Sequence, residues 1–129
     1  MARGRERYQQ RQAAVARLGR GLSRRAGNRC ELCRTSGSLS VVEIAPIDPE
    51  APDPARAAML CARCAGLVGG EKIRNPDELR FLEEAIWSEV LPAQLTAVRL
   101  LRTLIGQGVD WAVTANDALY LDPDVQELV

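Results

Sequence analysis

The chain has 129 residues, 47% hydrophobic and 26% charged, a composition that suits a folded domain and excludes wholesale disorder, collagen and low complexity. It contains no histidine, so no Ser-His-Asp triad, Cys-His nucleophile pair, HExxH site or two-His-one-carboxylate iron site can be assembled within it. The formal charge is zero yet segregated: residues 1–34 hold ten Arg against Glu6 and Glu31, and the rest of the chain carries the matching acidic excess.

The first segment, residues 1–26, reads as an Arg-rich amphipathic helix. Tyr8, Val15, Leu18 and Leu22 recur at helical spacing, and Gly19 and Gly21 weaken the run. Arg3, Arg5, Arg7, Arg11, Arg17, Arg20, Arg24 and Arg25 are the candidates for phosphate contacts, which makes nucleic acid a candidate partner. The same basic arm suits another anionic macromolecule, the acidic body of the chain itself, or a second subunit docked on the apolar stripe, and a genomic bias toward Arg explains its composition equally well. Five aromatic residues are too few for a stacking platform on single strands. No apolar core follows the basic start, unlike a secretory signal, which leads us to expect a cytoplasmic, reducing compartment. The Arg-rich, acid-poor start also resembles a mitochondrial presequence, although a stripe docked on the domain accounts for it too. No charge-free run approaches the roughly 18 to 20 apolar residues of a spanning helix, so no membrane partner is expected.

The second segment, residues 27–70, carries Cys30-Glu31-Leu32-Cys33 and Cys61-Ala62-Arg63-Cys64, two C-x2-C pairs with 27 residues between them. In a reducing compartment such pairs predict one closed tetrahedral site, with Zn2+ bound by Cys30, Cys33, Cys61 and Cys64 at about 2.3 Å. A redox dithiol does not account for the motif occurring twice; a four-thiolate iron site and inert buried thiols compete with zinc for the same four residues. Four thiolates leave no open coordination position, which makes the zinc structural. Its net charge of about −2 calls for compensation, for which Arg29, Arg34 and Arg63 lie beside the two pairs. Between the pairs, Leu39 to Ala45 reads as a strand, Pro46 to Pro54 as an exposed acidic loop, and Ala57 to Leu60 as the returning strand.

The third segment, residues 71–129, reads as helical. Asn75-Pro76-Asp77-Glu78 resembles a helix start that would bury Leu79, Leu82, Ile86 and Trp87. Pro92 opens a helix with Leu91, Leu95, Val98, Leu101 and Ile105 on one face, closed by Gly106-Gln107-Gly108. A further helical piece is expected over residues 116–121, with Asp122-Pro123 capping a last turn, and Trp87, Trp111 and Tyr120 are expected in the core. The fold class is thus α+β: a zinc ribbon or treble-clef hairpin with an N-terminal helix and a mostly helical tail, packed as one domain.

The runs Arg25 to Cys33, Leu39 to Glu43 and Leu60 to Cys64, followed by Ala85 to Ser88, Val98 to Leu101 and Ala118 to Asp122, resemble the PhnA-like zinc-ribbon proteins, named for bacterial alkylphosphonate utilisation. The likeness covers about residues 22 to 123 and implies a zinc protein without implying a reaction. The cysteine core also resembles a degenerate HNH-type treble clef, with Ile44 and Ala65 where catalytic histidines would fall. Glu43 and Asp48 are the carboxylates nearest that position. Lys72 follows Gly69-Gly70-Glu71 without a phosphate-loop motif. The expected function is therefore a non-catalytic zinc-binding protein that uses its surfaces on another macromolecule; the competing expectations are a nucleic-acid binder using the Arg-rich arm and a phosphonate-related enzyme.

Overall fold

The computed structural model describes residues 2–129. The basic segment forms two helices, α1 (Ala2–Arg17) and α2 (Gly19–Ala26), where the sequence predicts one. The break falls at Leu18, whose N–H turns back to the Val15 carbonyl at 3.0 Å just ahead of Gly19. Helix α2 ends in a left-handed turn at Gly27 and Asn28, and the Asn28 N–H reaches the Ser23 carbonyl at 2.9 Å.

Strands β1 (Leu39–Glu43) and β2 (Ala57–Cys61) pair antiparallel, with Leu39 opposite Cys61 and Glu43 opposite Ala57. Pairing runs one rung further, Ile44 N–H to the Arg56 carbonyl at 2.7 Å, and Pro46 then ends it. The acidic loop is shaped by its own side chains: Asp48 and Asp53 each accept the backbone N–H two residues on, at 2.8 Å. Directly after β2 comes α3 (Ala62–Val68), a helix absent from the sequence-based expectation, ending at Gly69-Gly70.

The remaining helices are α4 (Leu82–Ala85), α5 (Leu91–Gly106), α6 (Asp110–Ala118) and α7 (Pro123–Leu128). Three expectations need correction. The start at Asn75 yields a single 3-10 turn, Pro76–Leu79, and the Asn75 side chain caps nothing. Backbone bonds from Arg80 to Glu84 keep reaching back three residues, so Leu79, Leu82 and Ala85 stack on one buried side. Trp87 lies beyond this turn and is 51% exposed, because the chain leaves the helix there and the Ile86 carbonyl is taken by Gln94 at 3.0 Å. The helical piece expected at residues 116–121 begins earlier, at Asp110; Leu119 is extended, and Leu119 and Leu121 pack inward while Tyr120 points out, 77% exposed. Of the three expected core aromatics only Trp111 packs against the core, with its indole N–H on Asp77 at 3.2 Å.

The hairpin lies between two layers, as strand alternation requires. Ala58 and Leu60 face α3, α4 and α5, joining Ile44, Leu79, Leu82, Ile86, Leu95, Val98, Leu101 and Leu104 in the main core, against which Val42 packs. Ala57 and Met59 face the other way, onto Leu22 and Ala26 of α2, with Leu18 and Val41 at the margin.

Candidate metal centre

The register explains how the two cysteine pairs meet. Leu39 opposite Cys61 sets the second pair at the end of the hairpin from which the turn after Cys33 emerges. The first pair is closed locally: Arg34 N–H bonds the Cys30 carbonyl at 3.0 Å, Cys30 N–H bonds the Thr35 carbonyl at 2.9 Å, and Arg34 takes a left-handed conformation, φ 68°. The second pair opens α3, where Cys61 Sγ accepts the Cys64 N–H at 3.5 Å.

Four sulfur atoms result, all within 4.8 Å of one another, with Cys33 and Cys61 at 3.7 Å. A tetrahedral thiolate site with metal–sulfur bonds of about 2.3 Å has edges of about 3.8 Å, so this donor set fits a metal ion. Cys30 and Cys64 are buried, Cys33 and Cys61 half-buried. The acidity of the set is divided. The neighbouring Cys64 sulfur and nearby backbone N–H groups bring Cys30 down to about 4; the nearness of Cys30 and burial push Cys64 well above the usual thiol range, and burial raises Cys33. One thiolate forms readily, and ionising its neighbours beside it calls for a cation.

The three arginines expected beside the site are placed differently from one another. Arg63 borders an opening of about 300 Å³ lined by Cys33, Thr35, Cys61, Cys64, Glu78 and Phe81, and it pairs with Glu78. Arg29 donates to the Arg34 carbonyl at 3.2 Å, and Arg34 contributes through its backbone. Among the described residues none of the three bonds a cysteine sulfur; the polar side chain that does lie against one is Thr35, its Oγ1 3.0 Å from Cys33 Sγ.

Glu31 is the residue that sequence reasoning missed. Its side chain is 2% exposed and forms a two-bond pair with Arg25, Nε to Oε2 at 2.9 Å and Nη2 to Oε1 at 2.7 Å. Oε1 also accepts the Met59 N–H at 2.8 Å, while the Glu31 N–H donates to the Met59 carbonyl at 2.8 Å. Glu31 thereby satisfies the edge of β2 that β1 leaves open. The available signal was positional: between Glu6 and Glu43 it is the one acidic residue in a run rich in Arg.

Two of the eight arginines proposed for phosphate contacts are engaged within the chain. Arg25 holds Glu31 and also donates to the carbonyls of Pro54 and Ala57, and Arg11 grips Glu43 through Nη2 at 2.6 Å and Nε at 3.2 Å. Arg3, Arg5, Arg7, Arg17, Arg20 and Arg24 are exposed. Glu43 is thus a partner of Arg11, Asp48 a turn residue, Ile44 core, Ala65 half-buried, and Lys72 exposed on a broad surface groove with Arg63, Glu71 and Arg74. No described helix is long and apolar enough to cross a membrane. No family model, curated protein or solved structure matches the chain.

Proposed function

We propose that the chain is a non-catalytic zinc protein in which Cys30, Cys33, Cys61 and Cys64 hold one structural Zn2+ and the surfaces serve macromolecular interaction. The observation that carries this is the convergence of four thiols from two turns at tetrahedral spacing. A set of four thiolates has no open coordination position, and without histidine the chain has no imidazole to activate water nearby. When bound, the ion would fix the first turn to the start of α3, and the residues around it hold backbone geometry. The same reading aligns the chain with the PhnA-like proteins, whose motif segments correspond here to the two cysteine turns, β1 and the buried stretch of α5. Native mass spectrometry with elemental analysis, on protein purified without added metal, should find one zinc per chain, and Cys61→Ser should lose it. A metal-free wild-type chain four hydrogens light would instead mean two disulfides and contradict the proposal.

A second reading, nucleic-acid binding, is favoured by the six exposed arginines on α1 and α2, which form no ion pair among the described residues. Affinity for a DNA duplex should fall steeply with salt, and Arg17→Ala with Arg20→Ala and Arg24→Ala should flatten that slope. Absence of binding at low salt, or binding indifferent to salt, contradicts it.

A further inference from the structure

We infer that Glu31 couples metal binding to the docking of α2, so that zinc affinity depends on Arg25, a residue that ligates nothing. The inference rests on the zinc reading above and goes beyond it by assigning the metal an effect on the surface that α2 presents.

Glu31 sits between two ligands, Cys30 and Cys33, in a turn of four residues. Its carboxylate has three hydrogen bonds, two to Arg25 and one to the Met59 N–H, and it is enclosed. Arg25 in turn makes four: two to Glu31 and one each to the Pro54 and Ala57 carbonyls. A planar fork filled at both ends ties three pieces together: the last turn of α2, the first cysteine turn, and the start of β2. The apolar contact under α2 is small, Leu22 and Ala26 on Ala57 and Met59 with Leu18, Leu39 and Val41 at its margin, and the ion pair adds a directional tie to it.

Two consequences follow from one arrangement. A metal that fixes the backbone of Cys30 and Cys33 also fixes Glu31 where Arg25 meets it. Conversely, Arg25 holds the turn in the shape the metal needs by satisfying the charge of the carboxylate that lies between two ligands in sequence. Coupling between two binding events is reciprocal, so whatever zinc contributes to helix docking, docking contributes to zinc affinity. Arg11, which pairs with Glu43 far from the cysteine turns in sequence, lacks this link and serves as the internal control.

The test is a zinc competition titration of the full chain against a chromophoric chelator, with hydrogen exchange of residues 19–26 recorded on the same samples. Arg25→Leu should bind zinc about tenfold more weakly than the wild type and exchange faster in α2. Arg11→Leu should stay within about twofold of the wild type. Should Arg25→Leu fail to fold, Glu31→Gln keeps the side-chain shape and should show the same loss. Wild-type zinc affinity in the folded variants overturns the coupling, as does an equal loss in Arg11→Leu. A wild-type chain that takes up no zinc contradicts the metal reading itself, an outcome distinct from one in which wild type and variants bind equally well.

Discussion

The two faces of the hairpin are covered by different means. On one side, eighteen buried residues form a continuous core with α3 to α6, built on Leu60, Leu95, Leu101 and Leu104. On the other, Leu22, Ala26, Ala57 and Met59 are the buried cluster among the described residues, with Leu18, Leu39 and Val41 packed against it, and two Arg–Glu pairs, each of two hydrogen bonds, accompany them. Large aliphatic burial stabilises without regard to direction, whereas an ion pair stabilises only while its geometry is held. The basic side of the molecule is therefore the side whose seating can be changed by a small structural event, and the cysteine turn that carries Glu31 is where such an event would act.

Substitutions on the two faces should differ in size of effect and in the helix they loosen. Cys61→Ser should act most strongly, since it removes one of the four clustered thiols at the junction of β2 and α3; calorimetry should show loss of the cooperative transition. Leu101→Ala, in the large core, should cost about 2–5 kcal/mol in urea unfolding and disturb the α5 layer before α2. Glu31→Gln should cost about 1.5–3 kcal/mol and loosen α2 selectively in hydrogen exchange, because Arg25 loses its enclosed anion. Acidification should release the metal and loosen the same side: thiolates must take up protons as pH falls, and Cys64 and Cys33, whose thiols are pushed up, favour the protonated form once the cation's hold weakens. At the small end, Arg80→Ala removes an exposed pair with Glu83 and a contact over the Trp111 ring, and should leave the melting temperature essentially unchanged.

Much of this organisation is legible in the residues. Repeated C-x2-C spacing anticipates the sulfur cluster, β-branched residues and the four prolines from Pro46 to Pro54 delimit the hairpin, and the Leu95, Val98, Leu101 stripe lies buried as its periodicity requires. What escaped depends on contacts between distant segments. Arg25 reads as one more phosphate candidate until the Gly27-Asn28 turn brings it against Glu31, and Arg11 until α1 crosses β1 at Glu43. Helix α3 is masked in the sequence by the cysteine motif, which predicts a turn, although Ala62, Arg63, Ala65 and Leu67 before Gly69-Gly70 are good helix formers. Trp87 and Tyr120 show the limit of reading burial from residue size: the local chain direction turns both outward.

The most direct test of the central claim, that a metal closes the cysteine turns and through them steadies the basic side, is hydrogen exchange across the full chain before and after treatment with a strong chelator. Chelation should remove one zinc per chain, and amide protection around Cys30 to Cys33 and in α2 should fall sharply. Unchanged protection in both segments after the metal is gone would contradict it.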